Sequence, residues 1–164
     1  EPVDLGPCIA DACRMLEQQA TQKGLMLSID EMPEAAALAS GRGVRQVVVN
    51  LVGNAIKYTE FGYVRIAAAQ APSDDCVAFA VSDSGIGIPE EHLDRILRPF
   101  EQVDDVYARK QGGTGLGLSI VGTILARCGG SMSISSVPGK GTTVTVVLRR
   151  APKAAATKSE ALAA

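Results

Sequence analysis

The stretch from Arg45 to Thr59, Arg-Gln-Val-Val-Val-Asn-Leu-Val-Gly-Asn-Ala-Ile-Lys-Tyr-Thr, restricts the possible folds more than any other part of this chain. Val44, Val47, Val48, Leu51, Ala55 and Ile56 recur with helical period and predict one apolar face turned to a core. Asn50, Asn54, Lys57 and Tyr58, spaced four, three and one apart, fall on another side of the same helix. The helix is therefore expected to lie on a second layer of structure while lining a site. Two amide oxygens and an ammonium along one side are groups among which a hydrated metal and phosphates could sit.

With 164 residues, 46% of them hydrophobic, the chain can bury one substantial core, and a single domain is expected. Its 16 basic and 18 acidic residues leave a net charge of -2, which supplies no electrostatic reason to expect nucleic acid or a membrane surface as partner. Anion binding must then be local. Cys8, Cys13, Cys76 and Cys128 match no zinc spacing or secreted disulfide framework, and they read as reduced thiols of a cytoplasmic protein. No apolar run of about 18 residues and no signal peptide is present. Because Glu1 is not an initiator methionine, the chain reads as a piece of a longer one.

Along the chain, Ile9, Cys13, Leu16 and Ala20 predict a helix over about 6–22, with Lys23-Gly24 as its stop and Leu25–Asp30 as a strand. Ala35–Ala39 predicts a second short strand, and Ser40 is a plausible cap for the helix that ends near Tyr58. Tyr63–Gln70 and Cys76–Ser82 predict a hairpin joined by Pro72-Ser-Asp-Asp75. Pro89-Glu-Glu suits the first turn of a short helix, whereas Arg98 to Gly113 has no sustained period and reads as a long mobile loop. Leu116–Cys128 predicts a helix closed by Gly129-Gly130, followed by strands at Ser131–Ser136 and Thr142–Leu148 around Val137-Pro-Gly-Lys-Gly141.

Asp83 stands at a strand end ahead of Ser84-Gly85-Ile86-Gly87. A carboxylate can accept a hydrogen bond from the exocyclic amine of adenine, and glycines let the backbone approach a flat ligand. The same residues also fit a plain glycine-rich turn capped by its Asp. Gly112-Gly-Thr-Gly-Leu-Gly117 is expected to open a helix whose first amides can form a phosphate site, though the same glycines also fit an ordinary flexible loop. Gly139-Lys-Gly141 lacks the Ser or Thr of a P-loop, and no glycine set has dinucleotide spacing.

Taken together, these residues resemble the ATP-binding catalytic domain of sensor histidine kinases, in the superfamily that also holds gyrase B, Hsp90 and MutL. The resemblance rests on four motifs in the family's order: the asparagine box at Asn50 and Asn54, the first glycine box at Asp83–Gly87, Arg98-Pro-Phe-Glu101 as the phenylalanine box, and Gly113–Gly117 as the second glycine box. It implies a Bergerat-type two-layer α/β sandwich: a mixed sheet of about five strands, three helices on one face, and a mobile ATP lid over about 88–114. The domain would span 1–149 and residues 150–164 would form a disordered tail.

The resemblance further implies ATP and Mg²⁺ as cofactors. Asn54 would ligate the metal, with Asn50 beside it and Lys57 reaching the phosphates as the other catalytic groups. Tyr58 would pack near adenine or ribose, Asp83 would read the adenine amine, and Thr142 would support Asp83 or its bridging water. Gly85, Gly87, Ile88, Gly113, Thr114, Gly115, Leu116, Gly117 and Leu118 complete the implied nucleotide contacts, with Arg109 or Lys110 available to the terminal phosphates. The ATPase relatives carry a glutamate where this chain has Asn50, and an amide cannot take water's proton. The expectation is therefore slow hydrolysis and delivery of the γ-phosphoryl group to a histidine of a dimerisation hairpin upstream, followed by a response regulator. The isolated domain is expected to be a monomer without direct membrane contact, and its parent a dimer. His92, the only histidine, does not resemble that hairpin's acceptor and reads as a surface residue. The rival reading is a degenerate kinase domain that senses ATP or binds a partner.

Overall fold

A computed structural model describes residues 1–30, 32, 35–93 and 117–152. The elements follow as β1 (Pro2–Asp4), α1 (Leu5–Gln22), β2 (Met26–Ile29), β3 (Ala36–Leu38), α2 (Gly41–Lys57), β4 (Tyr63–Ala69) and β5 (Cys76–Asp83). After a 3-10 turn at Glu90–His92 come α3 (Gly117–Arg127), β6 (Ser131–Val137) and β7 (Gly141–Arg149). The phenylalanine box, most of the segment expected to be the lid, and Arg109, Lys110, Gly113, Thr114, Gly115 and Leu116 lie outside the described residues, as does 153–164.

Five strands form one mixed sheet in the order β2-β4-β5-β7-β6. Only β2 runs parallel to its neighbour; the remaining pairs are antiparallel. Val64, Ile66, Val77, Phe79, Val81, Val144, Val146 and Leu148 line one face and are buried in a single core with α1, α2 and α3. Helix α2 lies in the middle, packed against both α1 and α3. All the apolar residues of its predicted inner face are buried, and Val52 joins them. The expected two-layer architecture, three helices over one face of a five-stranded sheet, is the observed one.

Two local expectations need correction. Residues Pro2–Asp4, given no element in the sequence reading, form β1, which pairs antiparallel with β3 in a separate two-stranded sheet. Pro2 can take the first strand position because a missing N–H costs nothing there, and further hydrogen bonds from Ala39 N–H to Glu1 O (3.0 Å) and Leu5 N–H to Ala35 O (3.3 Å) extend the pairing. Arg150 and Ala151, assigned to the tail, are held in the fold: Arg150 N–H donates to Asp75 O and Ala151 N–H to Ala36 O, both at 2.8 Å. Ala151 is buried, so the end of β7 also serves to fasten β3.

Strand register decides where the polar residues go. The apolar row Ile66, Val81, Val144 and Ile134 is followed by the row Val64, Asp83, Thr142 and Ser136, each paired in register with the next. Residues opposite one another share a face. The helix-facing side of the sheet thus turns polar at one end.

Candidate nucleotide site

Helix α2 starts where the Ser40 Oγ accepts the Gly43 N–H at 3.2 Å, an N-cap that ties down one of the free amides. Its other end is closed from outside: the Lys23 ammonium, just past α1, donates to Ile56 O at 2.6 Å and Lys57 O at 3.1 Å. A cation on the last carbonyls also suits the negative end of the helix dipole. Between these ends Asn50, Asn54, Lys57 and Tyr58 are half-buried on the side away from the core residues.

Asn50 Oδ1 accepts from Gln46 Nε2 at 3.2 Å, while Asn50 Nδ2 is buried with no partner among the described residues. No hydrogen bond engages the Asn54 carboxamide among the described residues, and the Lys57 ammonium stands 5.7 Å from the centre of the Tyr58 ring. Burial pushes the Tyr58 phenol above its ordinary pKa, so it stays neutral at physiological pH.

Asp83 ends β5 at the polar row, and its Oδ1 accepts the Gly85 N–H at 2.9 Å. Burial raises its carboxyl above the ordinary carboxylate value; the Gly85 and Thr142 amides and the Thr59 hydroxyl pull it partly back. The residues after it are stitched between α2 and the β6–β7 turn. Ile86 N–H donates to Tyr58 O (3.2 Å), Ile88 N–H to Ser136 Oγ (2.7 Å), and Gly139 N–H to Ile86 O (2.8 Å). At Gly85 an added Cβ would stand 2.5 Å from Tyr58 O, 2.8 Å from Thr59 Oγ1 and 2.9 Å from Asp83 Oδ1. Gly87, with φ +72°, would place one 2.2 Å from Val137 O, so both positions exclude any side chain.

The fold therefore brings Tyr58, Asp83, Gly85, Gly87, Ile88 and Thr142 together, at the end of the helix that carries Asn50, Asn54 and Lys57. Gly117 opens α3, and Leu118 is a partly buried residue packed against the core. The Thr142 hydroxyl lies 2.7 Å from Ser136 Oγ, which itself donates to Gly141 O at 3.0 Å. Thr142 is thereby the donor to Ser136, and it is its backbone amide that acts on Asp83. Three participants were not singled out from the sequence: Thr59, Ser136 and Gly141. Ser136 continues the inward parity of Met132 and Ile134, a signal that was available; Thr59 has no such signal. His92 is half-buried beside Glu91, at 3.7 Å, in the short turn after Pro89.

Among the described residues no cluster of three His, Cys, Asp or Glu could hold a metal. The donor set instead fits an ion that keeps most of its ligands from water and phosphate: Asn54 offers an amide oxygen without a partner among the described residues, a hard ligand of the type Mg²⁺ takes singly.

The family described as "Histidine kinase-, DNA gyrase B-, and HSP90-like ATPase" matches residues 39–152. Among curated proteins, the "Non-motile and phage-resistance protein" of Caulobacter vibrioides is 38% identical over 90% of this chain and 18% of its own length. The "Aerobic respiration control sensor protein ArcB" of Escherichia coli is 35% identical over 90% of this chain and 19% of its own. The chain thus spans about a fifth of these relatives. Among solved structures, full-length ShkA in complex with AMPPNP superposes with a TM-score of 0.80 at 29% identity, covering 92% of this chain and 31% of that one. The catalytic domain of histidine kinase ThkA gives 0.77 at 26% identity, covering 92% of this chain and 95% of that one.

Proposed function

Since the chain belongs to the histidine kinase-, DNA gyrase B- and HSP90-like ATPase family, with sensor histidine kinases as relatives, we propose that it binds Mg·ATP and supplies the γ-phosphoryl group to a histidine on another module of its parent protein. The observation that carries this reading is the Asp83 corner. A half-buried carboxylate sits on the helix-facing side of a strand end, in front of backbone that has no room for a Cβ at Gly85. That combination accepts an amine edge and lies flat against an aromatic ring, which suits adenine and not guanine.

The remaining groups divide the work of holding the triphosphate. Lys57 offers the positive charge for the phosphates, and Asn50 and Asn54 offer amides along the same helix side. Mg²⁺, held through Asn54 and phosphate oxygens, would neutralise charge on the transferring group. Asn50 cannot act as a general base, so the site holds ATP without activating water efficiently. The acceptor is a neutral imidazole, already a nucleophile at its unprotonated nitrogen, and needs no base to attack the γ-phosphorus. As the bond to the leaving oxygen breaks, ADP carries away the electron pair, and the imidazole proton is lost after transfer. The parent's phosphoacceptor hairpin and a response regulator are the partners this reading requires, with the site on the cytoplasmic side where ATP is available. No helix among the described residues is long and apolar enough to cross a membrane.

Calorimetric titration of ATP, with and without Mg²⁺, into this chain tests the proposal. Asp83→Asn is expected to abolish binding, and Asn54→Ala to remove its Mg²⁺ dependence. A folded wild type that binds no ATP would overturn it.

A further inference from the structure

Thr59 is the single fully buried polar side chain among the described residues, at 0% exposure, and its hydroxyl has no hydrogen-bond partner of good geometry there. Such an orphan is costly, about 1–3 kcal/mol, and calls for a reason. Other hydroxyls of this corner of the fold are committed elsewhere. Ser84 Oγ donates to Phe61 O and accepts from Tyr63 N–H, Ser136 Oγ donates to Gly141 O, and Thr142 turns to Ser136. The Thr59 hydroxyl faces Asp83 Oδ1 across the Gly85 Cα: both oxygens lie within 3 Å of the point where a Gly85 Cβ would stand, at 2.8 and 2.9 Å. A hydroxyl with no exposure cannot touch a ligand itself. It can only act through the carboxylate beside it.

Building on the adenine reading, we propose that Thr59 is a positioning residue for Asp83: its hydroxyl donates to the carboxylate and fixes the acceptor that recognises the 6-amino group of a purine. Gly85 is required for the same reason, because any Cβ would separate the two oxygens. Thr59 and the Thr142 backbone amide thus act on the same carboxylate.

The test compares ATP with purine riboside triphosphate, which lacks the 6-amino group, on wild type, Thr59→Val and Thr59→Ser. Thr59→Val keeps the shape and removes the hydroxyl, so the expected result is a roughly ten-fold weaker ATP affinity, little change for the analogue, and a melting temperature no lower than wild type. Thr59→Ser restores the preference for ATP. Thr59→Ala supplies the same comparison if the valine variant does not fold. Equal weakening of both nucleotides, or no weakening of either in a folded variant, would overturn the role of Thr59 while leaving the ATP reading intact. A wild type that binds neither nucleotide would overturn the ATP reading and this inference with it.

Discussion

Burial holds the Asp83 carboxyl above the ordinary carboxylate value, against the pull of the Gly85 and Thr142 amides and the Thr59 hydroxyl. A folded-state pKa above the unfolded one means that the stability Asp83 contributes is fully present below its unfolded pKa and is lost as pH rises through its folded one. At neutral pH the ionised side chain therefore costs the ligand-free fold stability. Asp83→Asn is expected to raise the melting temperature near pH 7, with the gain shrinking as pH falls towards the ordinary 3.8; a variant less stable than wild type at pH 7 would contradict this. Asp83, Gly85 and Gly87 were legible in the sequence because a carboxylate before spaced glycines is a local pattern. Thr59 was not, because one threonine past a helix end carries no sign of which carboxylate it will face.

Among the elements, α2 depends on its neighbours at its C-terminal end. Lys23 reaches the carbonyls of Ile56 and Lys57 across 33 and 34 residues of sequence, and it does so beside the polar face of the helix. Lys23→Met should remove this closure and destabilise the fold by about 0.5–1 kcal/mol, read as a lower urea midpoint at low salt with a smaller difference at high salt. The sequence marks Lys23-Gly24 as the stop of α1, and Gly24 does turn there with φ +70°. That the same lysine closes α2 depends on the packing of α1 against α2. Helices were legible through their period and caps, and the hairpin strands through alternation and turn residues. Strand β1 was not, since three residues beginning with Pro2 carry no pattern and their partner, Ala36–Leu38, is distant in sequence.

For the whole molecule, the middle strand joins the core to the site. Phe79, fully buried at the centre of β5, belongs to the core that α2 shares, and four residues further on the same inward parity delivers Asp83. Phe79→Ala is expected to cost about 3–5 kcal/mol, measured by chemical denaturation, and to lower ATP affinity as well if strand and site move together. The sequence by itself determined the alternation of helices and strands, the inner face of α2, the polar side chains on its other face and the glycines that clear space around Asp83. These follow from local periodicity and from the conformations open to single residues. Only the tertiary structure decided that Val64, Asp83, Thr142 and Ser136 form one row, that β1 and Arg150 fasten β3 from two sides, and that Thr59 stands opposite the carboxylate. The physical reason is register. A period of two tells which residues share a face of one strand, but which row meets which is set when strands far apart in sequence bury that face together.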